Sequence, residues 1–160
     1  MTLDELNTLP SSEAERTLLQ CCGSRRWARQ MASARPFATR EALVESADRI
    51  WWSLDPDDWR DAFAAHPRIG ERRGTHWSLQ EQAGAHSAAE ATQTELAAVN
   101  VAYEARFGYI FIVCATGRSG DEMLALARRR LQNDATSELR VAATEQAAIA
   151  RLRLGKLLDA

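Results

Sequence analysis

Two short stretches of this sequence hold the residue types that proton-transfer chemistry needs. The first, "AHPRIGE", places His66 at the end of an apolar helical pattern and directly before Pro67. Because the residue before a proline is disfavoured in helical geometry, the helix must stop near His66. The C-terminal end of a helix favours a protonated imidazole, which suits a proton donor near neutral pH. A histidine there can equally do no more than bond the last helical carbonyls, and both interpretations fit the sequence.

The second stretch, "WSLQEQAG", combines a helix start signal with polar side chains. Ser78 and Glu81 have the Ser-x-x-Glu spacing of a capping box, which predicts that Ser78 caps a helix and Glu81 bonds back to the serine N–H. The same arrangement would hold Ser78, Glu81 and Gln82 around the positive end of that helix, where an anion or a polar ring binds well. The two roles are compatible.

An arginine lies on the apolar face of the predicted last helix. At about 100° per residue, the apolar residues of this helix share one broad arc, and both Gln146 and Arg153 fall inside it. A buried guanidinium must meet an anion, because an unpaired buried charge is strongly unfavourable. Its rigid fork matches a carboxylate, so the partner is Glu81, another protein carboxylate or a substrate, unless the side chain extends to solvent at the helix end.

The run "YIFIVCATG" breaks the helical pattern. Its β-branched and aromatic residues favour a strand, but the sequence offers no second strand to pair with it. The run is therefore either one more buried helical turn or a buried extended segment, whose N–H and C=O groups need other partners. A bound polar ligand is one such partner, and plain core packing is the other interpretation. Cys114, within the run, is expected to be an inert apolar residue.

The composition indicates one globular domain over residues 1–160, without a nucleic-acid or membrane footprint. The chain has 160 residues, and its 20 basic and 22 acidic side chains leave a net charge of -2. We expect the basic cluster from Arg128 to Arg130 to be a solvated helix end. No apolar run is long enough to cross a bilayer, and the cysteines and histidines lack the spacing of disulfide or metal sites. These features predict a metal-free cytoplasmic protein.

Start and stop signals predict an all-helical fold of seven to nine helices, with one buried extended segment near residues 109–115. Most of the chain has helical spacing of apolar residues between recognisable caps. The signals are, in chain order, Thr39 as a cap, Pro56 as a first helical residue, a long alanine-rich helix from Ser78 to Phe107 closed by Gly108, Ser119 as a cap, and a last helix over roughly residues 136–158.

Four stretches together resemble one known family, although none of them is specific by itself. "AHPRIGE", "WSLQEQAG", "LAAVNVAYEARFGYIFIVCATGRS" and "AIARLRLGKLL" resemble, in order and spacing, the 2-oxo-4-hydroxy-4-carboxy-5-ureidoimidazoline (OHCU) decarboxylases of urate degradation. The resemblance extends over nearly the whole chain. It implies an all-helical, cofactor-free enzyme that decarboxylates the last unstable intermediate between urate and allantoin and yields the S enantiomer.

The resemblance also implies roles for particular residues. His66 is the catalytic acid/base and Glu81 takes part in catalysis, while Arg153 holds the substrate carboxylate. The remaining residues implied to bind the substrate are Pro67, Ser78 and Gln82 around the ring and ureido group, and the backbone of Phe111, Ile112, Val113, Cys114 and Ala115 around the ureido amides. The likeness further implies a homodimer that binds a small anionic substrate, while the composition predicts a cytoplasmic chain that binds neither nucleic acid nor membrane.

Two other classes of function compete with this interpretation. In the first, the tryptophans and alanine-rich helices form a protein-interaction module, and His66 is only a helix stop. In the second, the chain hydrolyses a related ureido-imidazole ring. The sequence "HPRIGE" also departs from the "HPDL-G" form of many relatives, so the roles of Arg68 and Glu71 stay open, as does that of His76.

Overall fold

The protein is all-helical over the residues that its computed structural model describes, which are 1–71 and 74–159. Ten α-helices follow one another in these residues, and no strand is formed. They are α1 Leu3–Thr8, α2 Ser11–Leu19, α3 Arg25–Ser33, α4 Arg40–Ser53, α5 Pro56–Ala64, α6 His76–Glu81, α7 Ala83–His86, α8 Glu90–Phe107, α9 Gly120–Arg130 and α10 Ala135–Asp159.

Local signals predicted most helix boundaries correctly. The side chains of Thr39 and Ser119 accept hydrogen bonds from the first turns of α4 and α9, as N-caps should. Pro56 is the first residue of α5. Gly108 ends α8 with a φ of 80°, a left-handed conformation that glycine adopts without strain.

The predicted count of seven to nine helices is too low, because the long helix expected from Ser78 to Phe107 is divided into α6, α7 and α8 and because α1 was not predicted. The first break lies at Gln82, and the second follows α7. At this second break the side chain of Gln93 donates from Nε2 to the carbonyls of His86 and Ala88, at 3.3 and 2.8 Å. A side chain therefore satisfies carbonyl groups that a continuous helix would have paired internally.

The first of two compact units comprises residues 1–62 and 146–160. Within it α2 packs on α3, and α3 packs on α4. Trp27, Trp51 and Trp59 are core residues, whereas Trp52 is exposed. Trp27 donates from Nε1 to the carbonyl of Ala47 at 3.1 Å, and Trp59 donates to that of Trp51 at 3.0 Å. Such bonds satisfy the indole N–H of a buried tryptophan.

The second unit comprises residues 63–145. Here α8 packs on α9, α7 packs on α9, and α6 packs on α7. Its hydrophobic core is formed by Ile69, Ala85, Leu96, Tyr103, Phe111, Val113, Ala115, Met123, Leu124 and Ala127. The core thus contains Phe111, Val113 and Ala115 of the apolar run that follows Gly108.

None of the described helices is both long enough and apolar enough to cross a membrane.

Gly84 is a position where the second unit tolerates no side chain. A Cβ built there would lie 1.9 Å from the carbonyl oxygen of Arg118, whereas one built on Gly155 in α10 would meet nothing within 4 Å. We expect Gly84→Ala to lower the free energy of unfolding by about 2 kcal/mol or more, because backbone must move. Gly155→Ala is the matched control and should raise it by up to about 1 kcal/mol. Urea denaturation measures both, and wild-type stability for Gly84→Ala would contradict the close approach.

Candidate active site

The His-Pro pair follows the end of α5, as the sequence predicts. The last helical residue is Ala64, and the N–H of His66 donates to the carbonyl of Phe63 at 3.1 Å, which closes a final tight turn. His66 and Pro67 are both half-buried. Pro67 prevents the helix from continuing, so the imidazole is carried by a short loop that starts at the helix end.

This loop is held to α8 by polar contacts. Arg68 forms a two-pronged ion pair with Glu104, with Nε to Oε2 at 2.6 Å and Nη2 to Oε1 at 2.7 Å, and it also contacts Glu71 at 3.2 Å. The side chain of the buried Asn100 donates to the carbonyl of Ile69 at 2.9 Å. Arg68 and Glu71 therefore hold the loop that carries His66 in place. The sequence left the roles of these two residues open, and their contacts show that they stabilise this loop.

The capping box predicted at Ser78 is wrong. The N-cap of α6 is Thr75, whose hydroxyl accepts a hydrogen bond from the N–H of Ser78 at 3.1 Å. Ser78 lies inside the helix and Glu81 is its last residue, so Glu81 is not at the positive end of α6, whereas Gln82 is both the C-cap of α6 and the N-cap of the short α7. Thr75 occupies the position three residues before Ser78, where the same capping bond is available one turn earlier. Glu81 is nevertheless buried, with 9% of its surface exposed.

Two contacts bring the His-Pro loop and α6 together within the second unit. The amide oxygen of Gln82 accepts a hydrogen bond from the N–H of Gly70 at 3.0 Å. Gly74 lies between Pro67 and Ser78, because a Cβ placed on it would lie 3.0 Å from Pro67 Cγ and 3.4 Å from Ser78 Cβ. His76, by contrast, is exposed at the start of α6.

The apolar run belongs to no helix or strand over residues 110–115. Phe111, Ile112, Val113 and Ala115 are all buried, and Cys114 is half-buried. Three backbone groups of the run are bonded by charged side chains: the carbonyl of Ile112 by Arg130, the N–H of Cys114 by Glu145, and the carbonyl of Cys114 by Arg118, at 2.6, 2.9 and 3.1 Å. The protein thus provides the partners that a neighbouring strand would have supplied.

The pKa of the Cys114 thiol indicates that Glu81 lies near the apolar run. Burial, followed by the nearby carboxylates of Glu145 and Glu81, raises the pKa of this thiol, while Arg118 lowers it by less. Both carboxylates are therefore close enough to disfavour a thiolate. The raised pKa agrees with the expectation that Cys114 is unreactive, and it associates Glu81 with the run that the family resemblance assigns to the substrate.

This unit contains a buried ion pair that the sequence did not predict. Arg128 and Arg129 are exposed as expected of a solvated helix end, but Arg130 is only 6% exposed and pairs with the fully buried Glu138. The position of Arg130 on α9 explains why it is buried. Arg130 is three residues after the buried Ala127 and seven after Met123, so it shares their face of α9.

Arg153 lies in the first unit and is buried, at 6% exposure, as its position on the apolar arc of α10 predicts. It donates to the carbonyl of Gln20, the C-cap of α2, at 3.4 Å. Its charge lowers the pKa values of Cys21 and Cys22, but burial dominates and raises both to about 12. The guanidinium therefore lies at the negative end of a helix within an apolar setting.

Within residues 1–71 and 74–159, no group of three or more His, Cys, Asp or Glu side chains is arranged to hold a metal ion. The candidate site in the second unit has three parts. They are the loop that carries His66 and is held by ion pairs, the buried carboxylate of Glu81, and the largely buried irregular backbone of residues 110–115. These groups can move protons and hydrogen-bond a small polar molecule.

Comparison with known proteins relates this chain to one family of enzymes. Residues 7–155 match the family model described as OHCU decarboxylase. The chain is 42% identical over 151 residues to the uric acid degradation bifunctional protein TTL of Arabidopsis thaliana, covering 87% of this chain and 45% of that protein. It is 28% identical over 160 residues to the 2-oxo-4-hydroxy-4-carboxy-5-ureidoimidazoline decarboxylase of Haloferax volcanii, covering 98% and 95% of the two chains.

Comparison with a solved structure indicates the same family. The fold is similar to that of an OHCU decarboxylase crystallised in the presence of (S)-allantoin, with a TM-score of 0.81, 36% identity and coverage of 89% of this chain and 96% of that one. The protein belongs to the OHCU decarboxylase family, a family of carboxy-lyases. It spans less than half the length of the Arabidopsis relative.

The carboxylates near Cys114 should change the rate at which its thiol is alkylated. Because the thiolate is the reactive form, a raised pKa slows alkylation at any pH below it. We expect native Cys114 to react with iodoacetamide more slowly at pH 8 than in the unfolded chain, and Glu145→Gln to accelerate the native reaction several-fold by removing a like charge. Peptide mass spectrometry measures the rates, with the exposed Glu95→Gln as control. Equal rates in wild type and Glu145→Gln would contradict the electrostatic assignment.

Proposed function

We propose that this chain decarboxylates 2-oxo-4-hydroxy-4-carboxy-5-ureidoimidazoline to S-allantoin as a step of urate degradation. Membership of the OHCU decarboxylase family supports the proposal, and so does the likeness to a structure obtained with (S)-allantoin. The observation that carries it is the position of Glu81, a buried carboxylate at the last residue of α6 and close to the irregular run at Cys114.

The chemistry consists of one bond cleavage and a transfer of protons. Loss of carbon dioxide breaks the bond between the carboxylate and ring carbon 4, and the electron pair is delocalised into the ring. The ring nitrogen that receives the electron pair takes up a proton, the 4-hydroxyl proton leaves as a carbonyl forms, and a further proton added to the neighbouring ring carbon creates the stereocentre. The reaction therefore needs a base, an acid on one face of the ring, and groups that fix the ring between them.

We assign the proton movements to His66 and Glu81. An imidazole and a buried carboxylate are both groups that can act as a general acid or base. The loop contacts of Arg68 and the bond between Gly70 and Gln82 support this assignment, because they restrict the motion of the loop that carries His66. A fixed acid is what delivery of a proton to one ring face requires.

We assign ring and ureido recognition to Pro67, Ser78, Gln82 and the main chain of residues 111–115. The amide oxygen of Gln82 already accepts from Gly70, so its amide NH2 group is the part that offers hydrogen bonds to a ureido carbonyl. Ser78 has a hydroxyl that can donate or accept, bonded at 3.0 Å to Thr75. A ureido group has both N–H and C=O, so backbone groups complement it.

We assign the substrate carboxylate to Arg153. Its burial and its planar fork support this assignment, because a guanidinium in an apolar setting binds a carboxylate through two parallel hydrogen bonds. We also propose that the chain acts as one domain without a cofactor. The homodimer, the cytoplasmic location and the absence of nucleic-acid or membrane partners stay predictions.

The decisive experiment supplies freshly generated substrate and follows its ultraviolet decay, carbon dioxide release and the optical activity of the product. An interaction module would not accelerate decay, and a ring hydrolase would accelerate it without releasing carbon dioxide.

His66→Ala should reduce kcat at least about 100-fold by removing the acid/base group, while the thermal unfolding midpoint stays near that of wild type. His76→Ala is the matched control, because this histidine is exposed at the start of α6. The control should retain the wild-type rate and optical activity. A wild-type rate in His66→Ala would overturn the assignment of the catalytic histidine.

Arg153→Lys should raise KM at least about tenfold, because a lysine keeps the charge but loses the two-pronged geometry. Arg151→Lys, two residues earlier on the exposed side of α10, is the control and should leave KM unchanged. Steady-state kinetics on the decay assay measure both variants. An unchanged KM in Arg153→Lys would show that this arginine does not hold the carboxylate.

A further inference from the structure

Arg130 contacts the apolar run in two ways at once. Its Nη1 donates to the carbonyl of Ile112 at 2.6 Å, and its guanidinium lies 4.6 Å from the ring centroid of Phe111. It also lies 5.9 Å from the ring of Tyr103. A cation over an aromatic face is attracted to it, so the ring contacts and the hydrogen bond restrict the same planar group.

Glu138 fixes the other side of this guanidinium. One of its oxygens accepts from Arg130 Nε at 2.7 Å and from the hydroxyl of Tyr103 at 2.5 Å, and the other accepts from the amide of Asn133 at 2.9 Å. Glu138 has no exposed surface. Arg130 therefore cannot leave its carboxylate without leaving a buried charge unpaired, which is strongly unfavourable.

Holding one carbonyl orients a whole peptide unit. The C=O of Ile112 and the N–H of Val113 belong to one planar trans unit and point in opposite directions, so Arg130 sets the orientation of both. The bond from Cys114 N–H to Glu145 fixes the following unit, which contains the Val113 carbonyl, in the same way. Charged side chains thus set both main-chain polar groups of Val113.

We propose that Arg130, locked by Glu138, is a positioning residue for the substrate: it orients the backbone of residues 111–115 that binds the ureido group. The inference rests on the proposed function for the identity of that ligand. A purely structural role explains the pair less well, because buried ion pairs can often be replaced by apolar side chains without loss of stability. What an apolar pair cannot replace is the hydrogen bond to Ile112.

The test replaces the pair by apolar residues in the full chain, as Arg130→Met with Glu138→Leu. We expect this double variant to stay folded, with KM raised about tenfold and kcat changed less than about threefold, because ureido contacts act similarly in the ground and transition states. Amide hydrogen exchange over residues 111–115 should become faster. Arg129→Met, exposed on the same helix, is the control and should match wild type in all readouts.

A folded double variant with wild-type KM and wild-type exchange would overturn the positioning role. If the double variant fails to fold, Arg130→Lys decides by the same criteria, since its ammonium can pair with Glu138 but lacks the fork that also reaches Ile112. If the wild-type chain itself does not decarboxylate, the proposed function fails. The exchange measurement then still decides whether Arg130 orients the run, with unchanged exchange overturning that role.

Discussion

The second unit depends on satisfying a buried stretch of backbone that has no neighbouring strand. Main-chain groups removed from water need hydrogen-bond partners, and here Arg118, Arg130 and Glu145 provide them. Charge-assisted hydrogen bonds are stronger than neutral ones, but a buried cation must itself be neutralised. Glu138 does this for Arg130. The irregular shape of one short run therefore requires a buried ion pair made by two helices of the same unit.

The loop after α5 is organised by the same physical rule. It carries His66, and polar groups of other elements hold it: Glu104 through the side chain of Arg68, Asn100 through a carbonyl and Gln82 through an N–H. Such a loop is fixed through both its backbone and its side chains, although it has no regular secondary structure. This matters for the proposed chemistry, because an acid that protonates one face of a ring must be held in place before the substrate arrives.

The sequence predicted several features that depend on local spacing, and it failed where two local signals compete or where the partners are distant in the chain. Caps at Thr39 and Ser119 and the burial of Arg153 follow from local spacing, and all three are confirmed. The capping box at Ser78 was wrong because Thr75 offers the same bond one turn earlier. The spacing of Arg130 from Met123 and Ala127 places it on the buried face of α9, but its partners, a carboxylate and a carbonyl on other elements, have no local signature in the sequence.

The electrostatics around Cys114 also fit the proposed chemistry. A thiolate is a strong nucleophile, and a ring that contains a carbon–nitrogen double bond and loses carbon dioxide offers an electrophilic carbon to it. Burial and the carboxylates of Glu81 and Glu145 raise the thiol pKa and so keep the sulfur protonated. On the proposed function, the same Glu81 carboxylate thus has two effects. As proposed, it exchanges protons together with His66, and its charge adds to burial and to the Glu145 carboxylate in disfavouring the thiolate that would compete with that transfer.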